Sequence, residues 1–163
     1  EENRVPSPLS VLRSLDDRLD REAERALYPC VLKPLTLSSS QGVIRANNPL
    51  EFRAAAKRIE DILRQNDRHI LIEEFVSGPE IALEGILIKG TLYTLAFFDK
   101  PDPLEGPTFE ETIYITPSRL PIQTQMIVER AVSKGCHALG LKEGPVHAEV
   151  RVGDQRALPG ACP

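Results

Sequence analysis

Cysteine is scarce in this chain: Cys30, Cys136 and Cys162 are the only ones among 163 residues. Their number is odd and their spacing wide, so neither a disulfide framework nor a zinc cluster follows. A reducing cytoplasm is the simpler setting. No His/Cys pairing accompanies them, which marks the thiols as buried or incidental and not as nucleophiles. Excess positive charge is missing too. The net charge is −4, which argues against nucleic-acid binding along a phosphate backbone but leaves room for one local anionic ligand. No apolar run is long enough to span a bilayer, and Glu1 to Asp20 lacks the apolar core of a secretory leader. The Walker A order of glycine, four residues and Gly-Lys-Ser/Thr is also missing.

What remains is an ordinary globular composition, 41% hydrophobic and 27% charged, with no internal repeat. Disorder is a poor explanation for it. Val11, Leu12, Leu15, Leu19, Ala23, Ala26 and Leu27 recur at helical spacing, which predicts a helix from about Leu9 to Ala26. Cys30 to Lys33 reads as a short strand, and Gly42 to Arg45 as its hairpin partner across a Ser-rich loop. Asn48-Pro-Leu-Glu51 is a helix start, with a capping Asn, a proline at the first helical position and a carboxylate that reaches back. Phe52, Ala55, Ala56, Ile59, Ile62 and Leu63 then form the apolar stripe of a helix to about Gln65. Ile70 to Ile72 is a buried strand that runs into Glu73 and Glu74. Glu80 to Lys89 and Thr91 to Phe98 form a hairpin about Lys89-Gly90. Thr108 to Thr116 reads as a strand, Pro121 to Leu139 as a helix and Val146 to Val152 as a last strand. The class is α+β, not a doubly wound sheet.

Three segments could carry chemistry. In Lys33-Pro-Leu-Thr-Leu-Ser-Ser-Ser-Gln-Gly-Val43 a strand lysine heads a loop of small residues. A lysine supplies a point charge, and small residues let backbone N–H groups approach phosphate oxygens; a plain surface hairpin has the same composition. In Ile72-Glu-Glu-Phe-Val-Ser-Gly-Pro-Glu80 an apolar strand ends in two carboxylates, then an apolar pair, then Glu80 past a turn. This is either an adenine-and-ribose linker or a strand end with solvated glutamates. In Val146-His-Ala-Glu-Val-Arg151 alternation puts His147, Glu149 and Arg151 on one face. That face suits a metal-binding carboxylate and an anion-binding guanidinium, or else a solvated sheet surface.

Taken in order, these segments resemble the ATP-grasp superfamily from about Tyr28 to Arg151, with the linker the most specific part. The resemblance implies an ATP-grasp fold, two α+β lobes clasping ATP and here incomplete at both ends. Residues 28–76 would be the small lobe, 77–152 a partial large lobe, 1–27 a helical remnant or linker and 153–163 a tail. It implies ATP and Mg²⁺ as cofactors. Lys33 would contact phosphates beneath a closing loop of Ser38, Ser39, Ser40, Gln41 and Gly42. Glu73 would meet the adenine amino group, and Glu74 and Val76 would offer main-chain contacts. Glu80 would hold the ribose, Glu149 a Mg²⁺ ion, and Arg151 would serve catalysis. Asp99, Glu111 and His147 would lie on the substrate side. The loop Asp99 to Pro107 looks most like carboxylate–amine ligases of the amino-acid ligase and carbamoyl-phosphate synthase-like type. Such enzymes join small carboxylate and amine substrates through an acyl phosphate, without nucleic acid or membrane.

The chain departs from that pattern in three places. Relatives carry a second metal strand reading roughly Glu-x-Asn-x-Arg, where this chain reads Gly153-Asp-Gln-Arg-Ala-Leu-Pro-Gly-Ala-Cys-Pro163. They also carry an N-terminal domain and a second phosphate lysine ahead of the loop. The expectation is therefore a fragment that turns over poorly by itself and exposes apolar surface for association. A catalytically incomplete nucleotide- or partner-binding module is the alternative, and a biotin carboxylase-like activity is a weaker one.

Overall fold

The computed structural model describes residues 5–17, 19–64, 68–102, 105–109, 113–153 and 157–159. They divide into two compact units. The first takes the described residues of 8–75 together with 105–109; the second takes 5–7, 76–102 and the described residues from 113 onward.

The first unit is a four-stranded antiparallel sheet in the order β1-β4-β2-β3, with β1 Ser10–Ser14, β2 Cys30–Pro34, β3 Ile44–Ala46 and β4 His69–Glu74. Helix α1 spans Asp20–Arg25 and helix α2 spans Pro49–Leu63. Alternation sorts the sheet. Cys30, Leu32, Ile70 and Ile72 join Phe52, Ile59 and Leu63 of α2 in the core. Val31, Lys33 and Glu73 alternate with those core residues and take the other face. The start of α2 follows its sequence: the Asn48 side chain accepts from the Glu51 N–H at 3.0 Å, and Glu51 returns to the Asn47 N–H at 2.9 Å. This reciprocal cap satisfies donors that the first turn leaves unpaired. Ile62, expected in the buried stripe, is 39% exposed.

The predicted helix from Leu9 to Ala26 is not formed as one element. Its first part is β1, the edge strand, paired from Ser10↔Glu73 to Ser14↔His69. A turn follows, in which the Asp17 N–H reaches the Ser14 carbonyl at 3.2 Å and the Ser14 hydroxyl accepts from the Asp16 N–H at 3.2 Å. Ser and Asp side chains compete for backbone partners and break helices in this way. Val11, Leu15 and Leu19 still pack on the core, so the apolar spacing was real while its period misled.

The second unit is an antiparallel sheet in the order β6-β5-β7-β8, with β5 Glu80–Ile88, β6 Thr91–Asp99, β7 Gly144–Val152 and β8 Ala157–Pro159. Helix α3, Ile122–Ala138, covers one face, with Val128, Val132 and Cys136 against Ile81, Leu83, Val146 and Val150. Lys89 and Gly90 both have positive φ, 51° and 80°, as a two-residue hairpin with the right twist requires. At Gly78, φ is 115° and an added Cβ would sit 2.3 Å from the Val152 carbonyl oxygen. Only glycine fits there.

Two further expectations are corrected. Thr108 to Thr116 is not a strand among the described residues: Thr108 bridges Ile44 and Ile115 bridges Asp99. Pro107 and Pro117 bracket the segment, and its ends pair with different strands instead of with one continuous neighbour. Residues 157–159, read as tail, form β8 beside β7, an element too short to show a period.

Candidate functional site

On the first unit, Lys33 and Glu73 meet. Val31 stands opposite Glu73 and Lys33 opposite Leu71 across β2 and β4, so the lysine and the glutamate are diagonal neighbours on the face away from α2. Their ion pair measures 2.6 Å, with the Glu73 side chain 6% exposed. The loop after β2 is wound tightly. The Gln41 N–H reaches the Ser38 carbonyl at 3.2 Å and the Val43 N–H the Ser40 carbonyl at 3.1 Å. Ser39, Ser40 and Gly42 have φ of 55°, 56° and 74°, a left-handed run that L-residues adopt at a cost. Glu74 donates its N–H to the Leu9 carbonyl at 3.0 Å. That contact depends on β1 and was not visible while residues 9–26 read as helix.

On the second unit, the face of the sheet away from α3 carries a chain of charge. Facing pairs Glu80↔Arg151, Ala82↔Glu149 and Glu84↔His147 are set by the register of β5 and β7. Arg151 Nε donates to Glu80 at 3.0 Å and its Nη1 to the Val76 carbonyl at 3.2 Å. His147 Nδ1 lies 2.5 Å from Glu84, and its Nε2 lies 3.7 Å from Glu149. At the centre is Lys100, whose side chain is 3% exposed and whose ammonium sits 2.8 Å from Glu80. The same ammonium donates to Glu149. Among the described residues, Lys100 and Arg151 thus face Glu80 and Glu149 in a partly buried cluster, where pairing offsets the cost of burying charge.

Lys100 and Glu84 were not among the residues read as functional. The signal for Lys100 was present: counting back from the Lys89-Gly90 turn places residues 99–100 beside Glu80. The structure ties Asp99 into the scaffold. Its Oδ2 accepts from the Arg119 N–H at 2.8 Å, its backbone pairs with Ile115, and its buried Oδ1 has no hydrogen-bond partner among the described residues. Glu111 lies outside the described residues.

The described residues do not form a self-sufficient Mg²⁺ cage. Among the described residues no three His, Cys, Asp or Glu side chains gather as a ligand set, and Glu149 is engaged by Lys100. No helix among the described residues is long and apolar enough to cross a membrane.

Residues 26–159 match the model of the ATP-grasp domain family. The chain belongs to that family. Among curated ATP-grasp proteins it is 29% identical over 149 residues to the ATP-grasp enzyme fsqD of Aspergillus fumigatus, covering 85% of this chain and 26% of that protein. It is 28% identical over 144 residues to the alanine–anticapsin ligase of Bacillus subtilis, covering 76% of this chain and 30% of the ligase. Among solved structures, an L-amino acid ligase from Bacillus licheniformis superposes with a TM-score of 0.80 and 28% identity, over 97% of this chain and 36% of that one. The chain therefore spans roughly a quarter to a third of these relatives' length. The fold is that of an ATP-grasp ligase, and the α+β class read from the sequence stands.

Proposed function

We propose that this chain is the ATP-binding part of an ATP-dependent carboxylate–amine ligase that works through an acyl phosphate. The observation that carries the reading is the Lys33–Glu73 pair, a lysine and an almost buried carboxylate on one sheet face. The two neutralise each other. An arriving nucleotide offers Glu73 the exocyclic amino group of adenine in place of the ammonium, and Lys33 is released toward the phosphates. The tight loop of Ser38 to Gly42 then supplies N–H groups to the same oxygens.

On the second unit, the reading assigns roles to residues of the charged face. Glu80 accepts from ribose hydroxyls, and the Val76 main chain meets the base. Arg151, held by Glu80 and Val76, presents its guanidinium to developing negative charge. Lys100 supplies buried positive charge for the transferring phosphoryl group, and His147, aligned by Glu84, faces the amine substrate. In the reaction, a carboxylate oxygen attacks the γ-phosphorus and ADP leaves. The amine nitrogen then attacks the acyl carbon, phosphate leaves and the amine gives up its proton. The substrates are a small carboxylate and a small amine, the class to which the names of the relatives belong.

A non-catalytic nucleotide-binding module is the second reading, favoured by Lys100 bridging Glu80 and Glu149. Calorimetric titration of ATP into the wild type and Lys33→Ala tests the shared part. The variant should bind about tenfold or more weakly, as loss of a charge-assisted contact predicts. Equal heats would remove Lys33 from the site. Formation of ADP only when an amino acid is added separates the ligase from the silent module.

A further inference from the structure

The face that holds Glu73 is already occupied by an aromatic ring. Val31, 7% exposed, stands opposite Glu73, and with Val43 and Phe75 it forms an apolar patch that Phe109, 9% exposed, closes. Phe109 is delivered by residues 105–109, which lie along the free edge of β3. The Arg45 N–H donates to the Pro107 carbonyl at 2.9 Å, and Thr108 bridges Ile44. Arg45 Nη1 donates to the Glu105 carbonyl at 2.7 Å and contacts its carboxylate at 3.2 Å. Its guanidinium lies over the Phe75 ring, 4.0 Å from the centroid. Gly106, at φ 90°, leaves no room for a side chain: an added Cβ would come within 2.9 Å of Arg45 Cβ. The strap is therefore fastened at several points, and its one large apolar side chain lands on this patch.

We propose that Phe109 covers the apolar surface that a nucleotide base would need and so sets which ligands this face accepts. The inference rests on the reading that Glu73 recognises the base. A flat ring that donates to Glu73 must cover the apolar atoms of Val31 beside it, and Phe109 covers them already. Ring and strap compete for the same surface. A ligand with both a base and phosphates displaces the strap; a bare polyphosphate satisfies Lys33 and leaves Phe109 where it is. Phe109 is thus a specificity-determining residue, and Arg45 and Glu105 position it.

The test titrates ATP and, separately, inorganic tripolyphosphate into the 163-residue chain as wild type, Phe109→Ala and Glu105→Gln, with circular dichroism to check folding. Phe109→Ala should bind ATP about tenfold more tightly, because the base no longer has to expel a buried ring. Its tripolyphosphate affinity should not change. Glu105→Gln loosens the strap without touching the patch and should shift ATP affinity in the same direction by less. Hydrogen exchange at the Arg45 amide should speed up when ATP is added to the wild type. Weaker ATP binding by Phe109→Ala would make the ring a stacking partner and overturn the proposal, as would unchanged affinity or unchanged Arg45 exchange. Failure of every protein to bind either ligand would instead refute the nucleotide reading, and this inference with it.

Discussion

Lys100 gives the most demanding test of the charged face. Replacing it by Met keeps the length of the stem and removes only the ammonium. Breaking a buried ion pair from one side costs about 3–5 kcal/mol, because the partner charge is left behind. Here the lysine side chain is 3% exposed, but its partners Glu80 and Glu149 are 14% and 21% exposed, so water screens part of the loss. Arg151 also stays on Glu80. The lower end, about 3 kcal/mol, is therefore expected. At roughly 2–4 °C per kcal/mol for a chain of this size, the melting temperature should fall by about 6–12 °C. Lys100→Met/Glu149→Gln should recover more than half of that loss, since the stranded charge has gone with its partner. Urea and thermal unfolding followed by circular dichroism measure both variants. A single-variant loss below about 1 kcal/mol, the range of exposed ion pairs, would show that the cluster is solvated and refute the argument. So would a double variant no more stable than the single one.

Three other outcomes follow from local geometry. Gly78→Ala should destabilise the second unit by at least about 1–3 kcal/mol from backbone strain alone, with the Val152 oxygen in the way as well; urea unfolding within a few tenths of wild type would contradict this. Hydrogen bonds from the Asn47 backbone and side chain hold the Glu51 carboxyl below its ordinary value of 4.5. Its contribution is therefore complete above that value and is lost as pH falls through the depressed one. Glu51→Gln should thus be less stable than wild type at neutral pH, and the gap should close in acid; a gap independent of pH would remove the cap as its cause. Burial pushes the Cys30 thiol up to about 11, so native Cys30 should resist iodoacetamide at mildly alkaline pH and react on unfolding. Peptide mass spectrometry reads this directly, and rapid labelling of the folded chain would show that β2 is open.

Much of the scaffold was legible because its signals are local. The Asn48–Glu51 cap, the Lys89-Gly90 turn and the alternation along β2, β4 and β7 each depend on residues within a few positions of one another. The same alternation put His147, Glu149 and Arg151 on one face before any pairing was known. The errors came where local preference was weak. Val11 to Leu19 satisfies a helical and a strand-plus-turn reading alike, and only the free edge of β4 decides between them. Thr108 to Thr116 alternates like a strand, yet its ends belong to different neighbours.

By itself, then, the amino-acid sequence determined the α+β class and most of the main elements. These are consequences of periodicity, capping and turn conformation, which act over one or two turns of chain. Which residues touch was decided only by tertiary structure. Lys33 meets Glu73 because β2 and β4 pair in one particular register. Lys100 lies between Glu80 and Glu149 because the β5–β6 hairpin and β7 bring three distant segments together. Phe109 reaches Val31 because residues 105–109 return to the edge of β3. Ion pairs and apolar contacts form wherever the folded chain puts their atoms, and separation along the sequence carries no record of that distance.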